Sequence, residues 1–328
     1  MRRRKECFIG QFPQRVNSLP FDVDRNHWPD AIGVEMTALP LSTVTVVSVC
    51  YKSDGLVRDL VASIPDETPI VLVDNGHTNT FGDFTPKKNI RIVRLDDNLG
   101  FGRGCNAGAK VAETPWILFL NPDARLNPGA IEALLEAATK YTSAFAFNPR
   151  IYNADGSPYF KRRSWLLPRQ LYMKKGWPSE DAVVPVLSGA ALFVSKRSFD
   201  YVGGFDPNIF MYHEDDDLSL RLAALGELRF VRNSTVVHSA GHSSGRSPEI
   251  ARLKAYHMAQ SRIYAGQKHH RPLAKTSTLL QGCLLLLSPY VLVSARRRAK
   301  ALGFLRGALS KIWSEALIIN SLKTPKEP

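Results

Sequence analysis

At 328 residues, 44% hydrophobic and 22% charged, the chain is long enough for one large domain with an appendage and too apolar to be disordered. Its 43 basic against 30 acidic residues leave a formal charge of +13, which favours an anionic partner such as nucleic acid, nucleotide phosphates or an acidic membrane surface. The positive charge gathers at the amino terminus, in Lys161-Arg162-Arg163 and around Arg296-Arg297-Arg298, without interleaved aromatic residues, so no nucleic-acid partner is expected. Cys7, Cys50, Cys105 and Cys283 lie far apart with no metal-ligand spacing, which points to a reducing compartment.

Residues 1–41 hold Pro13, Pro20, Pro29 and Pro40 and little periodicity, the pattern of an irregular extension. No apolar run of a signal peptide follows Met1-Arg2-Arg3-Arg4-Lys5, so a cytoplasmic chain is expected. From Val44 the β-branched run to Tyr51 predicts a strand, and Leu56, Val57, Leu60 and Val61 predict a helix. A second buried strand, residues 70–73, ends in Asp74-Asn75-Gly76, and residues 90–95 form a third. A Gly-rich loop over residues 98–108 then leads to a helix. It permits close approach of a phosphate, with Arg103 adding charge, but it lacks the Lys-Ser/Thr ending of a P-loop and follows the third strand, not the first. The next strand, Trp116-Ile117-Leu118-Phe119-Leu120, stops at Asn121-Pro122-Asp123, where Asp123 is a site residue or a turn former. Strands alternating with helices imply a mostly parallel sheet, and three polar strand ends on one edge imply a nucleotide crevice there.

Residues 129–141 read as a helix, residues 145–187 as strand and loop, and Asn153-Ala154-Asp155-Gly156 as a hairpin turn. Lys161-Arg162-Arg163 is either a solvated run or a clamp on an anionic acceptor, and residues 188–194 form a strand that opens with the small Ser188 and Gly189. His213 precedes Glu214-Asp215-Asp216-Asp217 at the start of a helix. Such a cluster is an acidic first turn, with Asp217 paired to Arg221, or a site. His238 closes a short strand and is a structural histidine or, with Asp123, part of a hard-ligand metal site.

Taken in order, residues 46–51, Val73-Asp74-Asn75, Asn98-Leu99-Gly100-Phe101 with Asn106-Ala107-Gly108, Leu120-Asn121-Pro122-Asp123, Gly203-Gly204-Phe205-Asp206, residues 214–218 and His238 form a family pattern. Over residues 44–266 the chain resembles the inverting nucleotide-sugar glycosyltransferases of family 2, and most of all their bacterial rhamnosyltransferase branch. The resemblance implies the GT-A fold, an α/β architecture with a Rossmann-like, mostly parallel central sheet and helices on both faces, over residues 42–266. Residues 267–328 would be a helical tail. It further implies that Asp74 reads a pyrimidine base, and that Tyr51, Asn75, Asn98, Gly100, Phe101, Gly102, Asn106 and Asn121 line the donor. Asp123 and His238 would hold Mg2+ or Mn2+ on the diphosphate, although the usual Asp-x-Asp appears here as Asn121-Pro122-Asp123 with one carboxylate. Asp215 would be the general base beside Glu214, with Arg162, Arg163, Gly189 and His213 at the acceptor. The implied reaction moves rhamnose from dTDP-rhamnose to a saccharide on a polyprenyl diphosphate, in cell-surface polysaccharide synthesis. A nucleotidyltransferase would need a basic Gly-rich signature after the first strand, where this chain has Tyr51-Lys52-Ser53-Asp54-Gly55. A non-catalytic nucleotide-sugar-binding protein would have lost the base.

In the tail, Leu284-Leu285-Leu286-Leu287 and Tyr290-Val291-Leu292-Val293 are broken by Ser288-Pro289 and flanked by Arg296-Arg297-Arg298 and Lys300. The preferred expectation is a helix or helical hairpin at the membrane interface, peripheral on the inner face of the cell membrane. A core or dimer-packing helix, hence a homo-oligomer, and a true span are the other readings.

Overall fold

The computed structural model describes residues 39–79, 81, 89–239 and 247–323. The amino-terminal extension up to residue 38 and the segment after Ser239 that carries His242 lie outside the described residues.

The described chain runs β1 (Val44–Cys50), α1 (Asp54–Ala62), β2 (Ile70–Asn75), β3 (Ile90–Leu95), α2 (Phe101–Val111), β4 (Trp116–Leu120), β5 (Ala124–Leu126), α3 (Ala130–Lys140), β6 (Ala144–Asn153), β7 (Pro158–Tyr159), β8 (Ala182–Val183), β9 (Ala191–Ser195), α4 (Lys196–Tyr201), α5 (Glu214–Ala223) and β10 (Glu227–His238). Four further helices follow: α6 (Pro248–Lys268), α7 (Ala274–Leu286), α8 (Tyr290–Val293) and α9 (Ala295–Lys323). The strands make one sheet in the order β3-β2-β1-β4-β9-β6-β10-β5, with β7 on β6 and β8 on β10. β3, β2, β1 and β4 are mutually parallel, β9 runs against both β4 and β6, and β10 is parallel to β6. The order reverses beside β1, since β2 and β3 lie on one side of it and β4 on the other. The carboxyl ends of β1, β2 and β4 therefore share one edge at a switch point, where α/β sheets bind ligands.

Each central strand is buried on both faces, which is why it reads as an unbroken apolar run. Val46, Leu72 and Leu118 pack with Leu60 of α1 and Leu134 of α3, while Val47, Val71 and Phe119 pack on the opposite face with Ala109 of α2 and Leu218 of α5. The Gly-rich segment expected to be a loop is mostly helix, because its glycines serve packing. A Cβ on Gly104 would lie 2.7 Å from Val49, and one on Gly108 would lie 2.4 Å from Val47, so the bare backbone of α2 seats directly on β1.

The carboxyl-terminal helices form a layer of their own. α6 spans the division expected at residue 266, and Ala255, Ala259 and Ile263 on it enclose Phe304 and Ala308 of α9. A Cβ on Gly303 or Gly307 would come within 2.3 Å of a carbonyl of α6, so these two positions set how closely the helices cross. Lys268 and His269 at the end of α6 bind the buried carboxylate of Asp217 at 2.7 and 2.8 Å, tying the layer to α5. No helix among the described residues is long and apolar enough to cross a membrane.

Candidate active site

Where β4 ends, Asn121 donates its N–H to Ala190 O at 3.0 Å, and the chain turns through Pro122 and Asp123 into β5. Because β5 pairs antiparallel with the end of β10, His238 stands opposite Ala124, and Ser239 donates its N–H to Asp123 O at 2.9 Å. This pairing brings His238 Nε2 to 3.1 Å from Asp123 Oδ1 and 3.3 Å from Asn121 Nδ2. The first contact is close but misaligned for hydrogen bonding: Asp123 Oδ1 and His238 Nδ1 are both buried without a partner. Buried carboxylate oxygens and imidazole nitrogens are normally satisfied, so an orphaned pair of this composition fits a hard divalent cation. Among the described residues no third His, Cys, Asp or Glu joins them.

The acidic cluster sits at the other side of the site, on the first turn of α5. Tyr212 and His213 enter it with φ of 68° and 67°, a left-handed pair that directs the first turn toward the sheet edge. The four carboxylates then divide. Asp217 is fully buried, bound by Arg221 at 2.6 Å as well as by Lys268 and His269. Burial opposes its ionisation, but His269, Arg221 and Lys268 outweigh it and hold the carboxyl down at about 2. This residue is the structural pair with Arg221 that the i, i+4 spacing predicts. Asp216 Oδ2 accepts from His213 Nδ1 at 2.8 Å, and its Oδ1 lies 2.8 Å from Lys161 Nζ as an ion pair without a hydrogen bond. Asp215 Oδ2 accepts from Lys161 Nζ at 2.6 Å and from the Gly189 N–H at 3.0 Å, and its Oδ1 from the Asp216 N–H at 2.9 Å. Burial works against the Lys161 charge, yet Asp215 and Asp216 keep its ammonium well above the usual lysine range. Glu214 has no cation of its own: burial, then Asp215, pushes its carboxyl up to about 8, and Oε2 lacks a hydrogen-bond partner.

Asn121, Phe101, Gly189, His213, Glu214 and Asp215 line one cavity of about 710 Å³. Lys161 and Tyr159 line it too. Tyr159 also stacks edge-on against His238, ring centroids 5.0 Å apart, which puts it between the two acidic groups. The hairpin turn Asn153-Ala154-Asp155-Gly156 delivers both residues by folding β7 back on β6, a signal the sequence offers for Tyr159 and one that adds to the basic run for Lys161. Of the basic run, only Lys161 reaches the cavity. Arg162 donates to Met173 O at 3.2 Å, and Arg163 is exposed. Gly189, expected at the acceptor, spends its N–H on Asp215.

On the donor edge, several expected contacts prove to be internal. Asp74 is fully buried and accepts from Thr78 N, Asn79 N and Asn79 Nδ2 on Oδ1 and from Arg94 Nη1, at 2.9 Å, on Oδ2. Asn75 donates to Asn98 Oδ1 and Gly100 O and accepts from Leu99 N, so Asn75 and Asn98 fold the turn before α2. Gly100, at φ 85°, lies against Phe210 O, and Gly102 against Phe205. Asn106 exchanges both amide bonds with the backbone of Phe205. Tyr51 stays 40% exposed at the end of β1, free to meet a ligand.

A carboxylate poised over a cavity, beside an orphaned carboxylate and imidazole at the switch point of a mixed sheet, is an arrangement suited to group transfer. The family model for Glycosyl transferase family 2 matches residues 45–203. The N-acetylglucosaminyl-diphospho-decaprenol L-rhamnosyltransferase of Mycobacterium tuberculosis (strain ATCC 25618 / H37Rv) is 32% identical over 302 residues, which cover 78% of this chain and 94% of that protein. The low-salt glycan biosynthesis hexosyltransferase Agl10 of Haloferax volcanii is 25% identical over 192 residues, 55% of this chain and 62% of that one. Among solved structures, Staphylococcus aureus TarS 1-349 superposes with a TM-score of 0.49 at 15% identity, covering 83% of this chain and 91% of that one. The chain belongs to glycosyl transferase family 2 and is a glycosyltransferase.

Proposed function

We propose that the protein transfers rhamnose from dTDP-rhamnose, with inversion, to a saccharide carried on a polyprenyl diphosphate, with Asp215 as general base. One observation carries the reading: Asp215, fixed by Lys161 and Gly189, shares a cavity with Asn121, next to the orphaned Asp123 and His238. The mycobacterial relative, a rhamnosyltransferase by name, supports the choice of donor sugar and acceptor.

A sugar hydroxyl is a weak nucleophile, so its proton must leave as it attacks. Two of the lone pairs on Asp215 Oδ2 are taken by Lys161 and Gly189, while Oδ1 accepts only the Asp216 N–H and keeps a face open to the acceptor hydroxyl. Lys161 orients the carboxylate. The acceptor oxygen bonds to the anomeric carbon, the bond from that carbon to the diphosphate oxygen breaks, and the hydroxyl proton passes to Asp215. Asp123 and His238 would hold Mg2+ or Mn2+, which when bound neutralises the charge gathering on the departing nucleoside diphosphate. Glu214, pushed up to about 8, is neutral at pH 7 and adds no second negative charge beside the base. Tyr51 and the turn built by Asn75 and Asn98 would border the nucleotide.

The same reading places the enzyme at the cytoplasmic membrane surface. Leu287, Leu292 and Val293 are 78%, 80% and 83% exposed at the turn from α7 through α8, and Arg297 lies over Tyr290 beside them. An apolar knuckle rimmed by arginines suits the interface of an anionic bilayer. The test is a panel of nucleotide sugars with a prenyl-diphosphate-linked N-acetylglucosamine acceptor. Release of dTDP from dTDP-rhamnose, dependent on acceptor and on a divalent cation, is expected. Turnover of another donor in its place would overturn the assignment of the sugar.

A further inference from the structure

Arg262 in the wall of the cavity and Arg271 beside it have no counter-charge among the described residues. Arg262 on α6 lies with its Cζ 3.9 Å from the centroid of the Trp165 ring, and Arg271 lies 5.8 Å from the same ring. Trp165 can occupy this place only because residue 266 is glycine. A Cβ there would fall 2.6 Å from two ring atoms. The chain then doubles back, Arg271 N donating to Gly266 O at 2.7 Å, and the second guanidinium returns to the ring that carries the first. The Nε atoms of both arginines are buried and lack a hydrogen-bond partner, and neither side chain has an acidic partner among the described residues. Burial, then the neighbouring Arg271, lowers the Arg262 guanidinium to about 10, so it stays charged at neutral pH at a cost in desolvation and repulsion. The contrast along the same helix is sharp: Lys268 is neutralised by Asp206 and Asp217 at 2.6 and 2.7 Å.

The location narrows what the missing partner is. Arg262 lines the same cavity as Lys161 and Asp215, so its anion belongs to a molecule that also reaches the base. The nucleotide's own diphosphate is accounted for at the other end, by Asp123 and His238. From the cavity wall α7 turns Gln281 inward, while its neighbours Leu280 and Leu284 are 59% and 57% exposed. The cavity thus runs from the base, past the unpaired Arg262, to the helix that carries this exposed apolar face. We infer that Arg262 and Arg271, braced on Trp165, form the subsite for the diphosphate of a lipid-linked acceptor, whose lipid leaves along α7. The inference rests on the transferase reading above and moves the anion clamp from the expected Arg162 and Arg163 to Arg262, which borders the cavity where they do not, with Arg271 on the same ring beside it.

The test compares two acceptors on the full chain, N-acetylglucosaminyl diphosphofarnesol and the farnesyl glycoside of the same sugar without phosphate. Wild type should prefer the former, and Arg262→Met should cut that preference in kcat/KM by ~tenfold or more, as expected for loss of a charge-assisted contact. Arg262→Lys should recover part of it. An unchanged preference in Arg262→Met overturns the subsite. A second arm measures binding of farnesyl diphosphate by calorimetry, with chelator present and no donor. Wild type should bind at least ~tenfold more tightly than Arg262→Met or Arg271→Met, and equal affinities overturn the inference. This arm decides the question even if no acceptor turns over, an outcome that would contradict the transferase reading and leave the anion site standing on its own measurement. In a third arm, sedimentation with vesicles rich in anionic phospholipid should change less than twofold in Arg262→Met. A loss as large as that for farnesyl diphosphate would make the arginines a headgroup site and overturn the acceptor assignment.

Discussion

The two acidic groups of the site are opposites in how they are satisfied. On α5, Asp215 and Asp216 have a cation within the fold, the shared ammonium of Lys161. At the end of β4, Asp123 keeps a buried oxygen with no donor, beside a histidine whose Nδ1 is equally bare. A carboxylate with an ammonium beside it in the fold needs no cation from outside. One left bare inside the protein awaits a cation from outside. The sequence places both at helix or strand ends, and the partners alone distinguish their work.

The predictions separate these roles, beginning with the largest effect. Asp215→Asn should lower kcat by ~1,000-fold, within the range general bases contribute, while leaving donor affinity within about threefold. Near-native turnover would remove Asp215 from the chemistry. Asp123→Asn and His238→Ala should each weaken cation-dependent donor binding by ~10–100-fold, read as the Mn2+ concentration needed for half-maximal rate. Lys161→Met, which strips the counter-charge without touching substrate, should cost ~tenfold in kcat with the donor KM unchanged, and Lys161→Arg should recover part of the loss. The smallest effect on turnover and the clearest on stability comes from pH. Asp217 is held down at about 2 from an ordinary 3.8, so its contribution is present above pH 3.8 and is lost as pH falls toward 2. Glu214 is pushed the other way, from 4.5 to about 8, so the folded state keeps a proton that the unfolded chain releases, and stability declines as pH rises between those values. Denaturant midpoints measured from pH 2 to pH 9 should therefore lose their acid limb in Asp217→Asn, on the order of 2 kcal/mol, and flatten above pH 4.5 in Glu214→Gln.

Much of the fold is legible in the sequence because the central strands are buried on both faces and stop abruptly at polar turns. β1, β2 and β4 can be read from that alone, and so can the shared edge that carries Asp123. The hairpin at Asn153-Ala154-Asp155-Gly156 was equally plain from its turn chemistry. What lay beyond reading were roles set by distant partners. Asp74 stands at a strand end suited to a ligand, and what its position does not tell is that Arg94 from the neighbouring edge strand and the turn at Thr78 and Asn79 also bind it. Glycines in α2 suggest a phosphate loop, but their missing side chains are filled by Val47 and Val49 of β1. Lys161 is indistinguishable in sequence from Arg162 and Arg163, and only the return of β7 selects it. Residues of α6, α7 and α9 enter the cavity wall because Gly303 and Gly307 let α9 lie close on α6, a contact no local pattern reports.

The division of labour between the two acidic groups can be measured directly by titrating Mn2+ with dTDP into wild type, Asp123→Asn and Asp215→Asn by calorimetry. The account predicts that Asp215→Asn binds the pair as wild type does, while Asp123→Asn loses the Mn2+-dependent part of the affinity. If Asp123→Asn bound like wild type and Asp215→Asn did not, the cation would belong to α5 and the assignment of the two carboxylates would be reversed.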